Sequence, residues 1–273
     1  MLTASVVVRC RDKADTIGQT LTSLREQSCD VEIVVVDSGS SDGTVDMVRP
    51  RADVLLQIRP EEFSYGGALN LGTQASSGDV VFGLSAHCAP TSRTWVADSL
   101  NHYADARVAG TNGATAGPDG RPLSRPYRPT QDELLLNSSW GFSNHAASWR
   151  ASVVHDLPFR ADMQACEDKE WSWRVRRAGW ELVFDPALIV SSDHRRKAGL
   201  QAAYARNYKE AMALARLGLP VHETASAALH QWWSSYLHES RRPALVKRVS
   251  PHWVVNNVAT WRGTQAGLRR PVR

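Results

Sequence analysis

Two short β-branched runs with polar flanks open the chain, Ser5–Arg9 (SVVVR) and Val31–Asp37 (VEIVVVD). Runs this short and this apolar predict strands buried on both faces. Between them Ile17, Leu21 and Leu24 recur at four- and three-residue spacing, which predicts a helix from Asp12 to Ser28. Ser38–Thr44 (SGSSDGT) reads as a turn that starts another helix, with Ser41 or Asp42 near its N-cap. Val54–Ile58 and Asp79–Leu84 read as third and fourth strands, and Gly67–Ser76 and Ser92–His102 as helices. Strands alternating with short helices predict an α/β fold on a mostly parallel sheet with right-handed crossovers.

Beyond this the pattern thins. Gly110–Thr130, rich in Gly, Pro and polar residues, reads as loop. Leu134–Asn144 and Ala147–Val154 are expected to add sheet and helix. Asp168–Ala178 reads as a helix stopped by Gly179, and Trp180–Phe184 and Leu188–Val190 as short strands. From Gly199 the period is helical. Leu200, Tyr204, Tyr208, Ala211 and Leu214 form one stripe; Leu229, Trp232, Trp233 and Tyr236 form another. The expected organisation is a catalytic-type domain over residues 1–197 and a basic helical extension over 198–273.

Charge sharpens that division. Through residue 194 the chain holds 18 Lys/Arg against 25 Asp/Glu; beyond it, 14 against 3. A change of sign at one position suggests a change of role. The tail is a candidate for contact with anionic lipid, an acidic partner, the acidic body of its own fold or a second copy, and no recognition motif points to nucleic acid. No apolar run approaches the roughly 18 residues that span a bilayer. The N-terminus lacks a basic-then-apolar leader. Cys10, Cys29, Cys88 and Cys166 stand far apart, which suits a reduced chain. The expected setting is cytoplasmic, peripheral at the inner membrane face if the tail meets lipid.

Candidate chemistry gathers at predicted strand ends, where ligands bind in open α/β sheets. Asp37 ends the second strand; a carboxylate there accepts hydrogen bonds from a nucleobase or ribose, or caps its own turn. Arg9, Arg11 and Asp12 end the first strand and offer base, ribose or diphosphate contacts, or surface ion pairs. In Phe63–Gly72 (FSYGGALNLG) the paired glycines allow a close ligand or a tight turn, and Asn70 supplies a donor and an acceptor. His87, after the fourth strand in SAHCAP, is a metal ligand, a phosphate donor or a structural histidine. His194 stands at another strand's end, and two converging imidazoles with a diphosphate would hold a divalent ion.

The densest feature is Cys166–Trp171 (CEDKEW), whose adjacent carboxylates fall at a helix mouth. One carboxylate can hold a hydroxyl while the other removes its proton. Asp168 is the candidate base, Glu167 its neighbour, and Trp171 a stacking surface for a sugar or a packing residue. No GxGxxG follows the first strand, and no GxxxxGK[ST], GxSxG or HExxH occurs, which weakens dehydrogenase, P-loop, α/β-hydrolase and zincin readings.

In order and spacing, VVVDSGSSDGT (Val34–Thr44), FSYGGALNLG, LSAHCAP (Leu84–Pro90) and CEDKEW resemble family 2 glycosyltransferases, most nearly the rhamnosyltransferase-like members, over residues 3–196. The resemblance implies a GT-A fold, a Rossmann-like mostly parallel sheet flanked by helices. It also implies inverting transfer from a nucleotide-diphosphate sugar to an acceptor hydroxyl. By it, Asp37 with Ser38 and Asn70 meets the donor, as do Ser85 and Ala86. His87 takes the last place of the DxD-type metal motif, His194 the late metal or diphosphate histidine. Asp168 is the base, with Glu167 and Trp171 on the acceptor side. Two departures stand out: the DxD position reads Ser85–Ala86–His87, with no carboxylate, and Leu69 stands where many relatives carry Arg. Imidazole suits Mn²⁺ better than the harder Mg²⁺, so either ion is expected with weakened attraction, Arg9, Arg11 or a residue of the basic tail supplying positive charge. Two rival readings remain, a nucleotidyltransferase acting on sugar phosphates and a non-catalytic sugar-nucleotide-binding protein.

Overall fold

The computed structural model describes residues 2–136, 140–192, 199–219 and 251–269. These divide into two compact units. The first holds the chain to residue 194 apart from 164–166, and the second holds 164–166 with residues from 195 onward.

The first unit is built on a seven-stranded sheet. The β-branched runs form β1 (Ala4–Cys10) and β2 (Glu32–Asp37). β3 (Val54–Gln57), β4 (Val80–Ser85), β6 (Val108–Gly113), β7 (Ala146–Arg150) and β8 (Glu181–Asp185) complete it in the order β3-β2-β1-β4-β7-β6-β8. All neighbours are parallel except β7, which runs against both β4 and β6. β5 (Cys88–Pro90) and β9 (Val190–Ser192) pair separately, with Cys88 opposite Ser192. The helices of this unit are α1 (Ile17–Arg25), α2 (Thr44–Val48), α3 (Tyr65–Ala75), α4 (Trp95–His102), α5 (Gln131–Leu136), α6 (Ala151–Asp156) and α7 (Glu167–Arg177). Val6, Val8, Ile33 and Val35 point to one side of the sheet and pack with Ile17, Leu21 and Leu24 of α1, as the strand and helix periods require.

Three departures from the sequence reading have physical causes. Residues 12–16 are not helical, and α1 starts only at Ile17. Asp12 has φ 49°, a left-handed conformation that no α-helix propagates. Second, β6 lies partly inside the stretch read as loop. Its glycines answer to close approach: a Cβ on Gly110 would lie 2.8 Å from the Ser148 carbonyl oxygen, and one on Gly113 1.9 Å from that of Leu188. Third, Gly66 and Gly67 open α3 rather than forming a turn. A Cβ on Gly66 would stand 2.5 Å from the Arg160 carbonyl oxygen, while the Gly67 N–H donates to the N-cap Ser64 Oγ at 3.1 Å.

The second unit pairs α8 (Leu200–Arg216) with α9 (Pro251–Leu268). Gly263 and Gly267 of α9 bring it onto α8: added Cβ atoms would lie 2.3 Å from the Tyr208 carbonyl oxygen and 2.5 Å from that of Met212. The predicted stripe from Leu200 to Leu214 lies on α8, and the Leu229–Tyr236 stripe lies outside the described residues. No helix among the described residues is long and apolar enough to cross a membrane.

Candidate active site

Strand order reverses direction between β1 and β4, so the crevice at their carboxyl ends is the expected ligand site. Arg9 and Ser85 are partners in register there, and Cys10 pairs with Asp37 on the other side. Three loops close this edge: residues 11–16, residues 38–43 and the turn through His87.

The first two loops are laced by carboxylates. Asp37 is fully buried, and its Oδ2 accepts the N–H groups of Gly39 (3.2 Å) and Ser40 (3.1 Å). Its Oδ1 accepts from Ser40 Oγ and from Cys10 Sγ. Asp12 Oδ1 accepts the Ser41 N–H at 2.8 Å, and Asp42 Oδ2 accepts the Ala14 N–H at 3.0 Å. Ser38 N–H and Oγ both donate to the Cys10 carbonyl. All four of these contacts to Asp37 are internal to the fold, so Asp37 braces the 38–43 turn at the edge where a base or ribose contact was expected. Asp12 braces the same junction. Arg11 faces solvent, 3.9 Å from Asp12.

Asn70, Ala86 and Trp171 are each engaged within the fold. Asn70 joins α3 to residue 159: its Nδ2 donates to the Phe159 carbonyl (2.8 Å) and its Oδ1 accepts the Phe159 N–H (2.9 Å). The Ala86 side chain belongs to the apolar core, and its carbonyl accepts from Thr20 Oγ1. Trp171 is 0% exposed, stacks on Phe159, tilts against Phe142 and donates its indole N–H to the Leu157 carbonyl. A ring held on both faces has no surface left for a sugar.

The acid pair reaches Arg9 from α7. Cys166 takes φ 62° and turns the chain into α7, whose first turn holds Glu167 and Asp168. Asp168 is half-buried; its Oδ1 accepts the Lys169 N–H (2.8 Å) and its Oδ2 the Asn144 N–H (3.1 Å). Glu167 is 4% exposed, and its Oε1 accepts from Asn144 Nδ2 at 2.5 Å. The other end of the same amide, Asn144 Oδ1, accepts from Arg9 Nη2 at 2.8 Å. The Arg9 guanidinium lies over the Tyr65 ring, 5.6 Å from its centre. Arg9 Nε and Nη1 are shielded from water and have no hydrogen-bond partner among the described residues. Burial lowers the Arg9 pKa, and Glu167 and Asp168 oppose that shift. Burial, and next the Asp168 charge, pushes Glu167 up to about 7, against the pull of Arg9.

Thus Arg9, Glu167 and Asp168, distant in sequence, meet around Asn144. Sequence reasoning passed over Asn144, which carries no motif and no periodicity; its position just before β7 was the signal available. His87 sits half-buried at the turn between β4 and β5, and His194 lies outside the described residues. No group of three His, Cys, Asp or Glu side chains among the described residues is placed to hold a metal ion. The described donors at the DxD-type turn, one imidazole with no carboxylate, do not fit a hard divalent ion.

The sheet order is that of a GT-A fold. A mannosyltransferase from Pyrobaculum calidifontis, solved in complex with GDP-Man and Mn²⁺, superposes with a TM-score of 0.67 at 18% identity, covering 98% of this chain and 87% of that one. The profile of glycosyl transferase family 2 matches residues 5–158, more than half of the chain, which belongs to that family. A pre-mycofactocin glycosyltransferase of Mycobacterium tuberculosis is 28% identical over 206 residues, 70% of this chain and 43% of its own length. Glycosyltransferase AglE of Haloferax volcanii is 27% identical over 199 residues, 68% of this chain and 65% of its own length. This chain thus spans under half of the first relative.

Proposed function

We propose that this chain transfers a sugar from a nucleoside-diphosphate sugar to an acceptor hydroxyl, with inversion at the anomeric carbon and Asp168 as general base. The observation that carries this reading is the seating of Asp168. Two backbone N–H donors hold one lone pair on each oxygen, so the carboxylate is oriented yet keeps acceptor capacity for an incoming O–H. In the proposed step the acceptor oxygen forms its bond to the anomeric carbon while the bond from that carbon to the diphosphate oxygen breaks. The electron pair leaves with the diphosphate, and the hydroxyl proton passes to Asp168.

Donor placement follows from the switch point between β1 and β4. Ser85 and the braced 38–43 loop line that edge, and Arg9 brings positive charge to the same register as Ser85. The solved mannosyltransferase carries GDP-Man and Mn²⁺. Here the described donors do not fit a hard divalent ion, and no step is routed through one. Residues 198–273, with their excess of Lys and Arg, are proposed to meet an anionic membrane surface.

The test is Asp168→Asn with nucleoside diphosphate release as readout. Turnover is expected to fall about a hundredfold or more, with nucleoside diphosphate binding retained. Unchanged turnover rejects the assignment of the base. Release of pyrophosphate in place of nucleoside diphosphate rejects glycosyl transfer.

A further inference from the structure

We infer that Asn144 is a positioning residue for this reaction, tying Arg9 on β1 to the acid pair on α7 so that Asp168 is presented to the acceptor in one orientation. The inference rests on the glycosyl-transfer reading above and adds a residue to it.

The geometry is specific. Asn144 uses four polar groups on three partners. Its main-chain N–H donates to Asp168 (3.1 Å) and its side-chain N–H to Glu167 (2.5 Å). Its side-chain oxygen accepts from Arg9 at 2.8 Å and its carbonyl accepts from the same nitrogen at 3.3 Å. Asn144 is itself buried, at 8% exposure, and its neighbour Ser143 donates an N–H to Asn112 Oδ1 on β6 at 3.1 Å. The hub is therefore anchored to the sheet.

An amide suits the place because it donates at one end and accepts at the other. Arg9 only donates and an ionised Glu167 only accepts, so an aliphatic side chain at 144 leaves both side-chain bonds unmade, and an ionised Asp leaves ionised Glu167 without its donor. Titratable and charged groups around the hub include Arg9 on β1, Tyr65 on α3, Cys88 on β5, His145 beside Asn144, and Glu167, Asp168 and Lys169 on α7. Without the bridge the Glu167 carboxyl and the Arg9 guanidinium lose their fixed separation. The helix turn that carries Asp168 then loses its tie to β1.

The experiment compares Asn144→Ala and the isosteric Asn144→Asp with the unaltered protein, and includes Asp168→Asn and Glu167→Gln as references. The expected result is a kcat lowered about tenfold to a hundredfold, with the donor KM within about threefold and the melting temperature of the nucleotide-bound protein nearly kept. A fall in kcat with no change in donor KM separates mispositioned chemistry from lost binding. The pH profile of kcat supplies the second readout. Asn144→Asp puts a further carboxyl beside Glu167, so any limb due to Glu167 moves to higher pH; in the Glu167→Gln background that displacement disappears. Should Asn144→Ala fail to fold, Asn144→Asp carries the same comparison. An unchanged kcat in the folded variants, or a lowered kcat with an unmoved pH limb, overturns the inference while Asp168→Asn remains inactive. Full activity in Asp168→Asn instead overturns the reading of the base itself.

Discussion

Glu167 holds its proton toward neutral pH because burial and the adjacent Asp168 both disfavour its charge, from an ordinary 4.5 up to about 7. A raised folded-state pKa means that the folded chain binds more protons than the unfolded one between those values. Stability is then expected to be highest below about pH 4.5 as far as this group is concerned, and to fall as pH rises to about 7. Glu167→Gln should flatten that part of a urea-denaturation series taken from pH 4.5 to 8. A slope unchanged by the substitution would place the titration elsewhere. Trp171→Ala should destabilise by about 3–5 kcal/mol in the same assay, because the ring is fully buried among Phe142 and Phe159. The acid pair was legible in the sequence because adjacent carboxylates followed three residues later by a tryptophan are a local pattern. Asp37 was legible in position, while the N–H groups that surround it are visible only in the fold. Asn144 was illegible, because its partners lie 135 and 23 residues away.

At the level of elements, the buried strands were readable wherever β-branched residues run unbroken, as in β1 and β2. β6 was not readable, since the glycines that let it lie against Ser148 and Leu188 carry the same letters as a loop. The same close approach governs α3. A Cβ on Gly72 would fall 2.3 Å from Val7 Cγ1, so Gly72→Ala must push α3 away from β1. A loss of about 1–3 kcal/mol is expected from such overpacking, read as a lowered denaturation midpoint. Gly120→Ala meets nothing within 4 Å, but its φ of 78° places strain on any side chain. In the second unit, Gly263→Val should separate α8 from α9 and expose the buried Ala211 and Leu214, detectable as faster proteolysis within that unit.

At the scale of the whole molecule, charge divides the chain as sharply as structure does. The acidic first part carries the acid pair, and the basic remainder carries 14 Lys/Arg against 3 Asp/Glu. If that excess meets lipid, cosedimentation with anionic vesicles should fall steeply as salt rises from about 0.05 to 0.5 M, as screening requires. Binding to neutral vesicles of equal strength would overturn the electrostatic account. The lacing of residues 12, 37 and 42 has a further consequence for binding. Because backbone N–H groups already hold these loops, their conformational entropy is lost when the chain folds and not when a ligand arrives. Under the proposed function, a nucleotide reaching this edge would meet loops already held by internal bonds, and the entropic cost of ordering them on capture would be small.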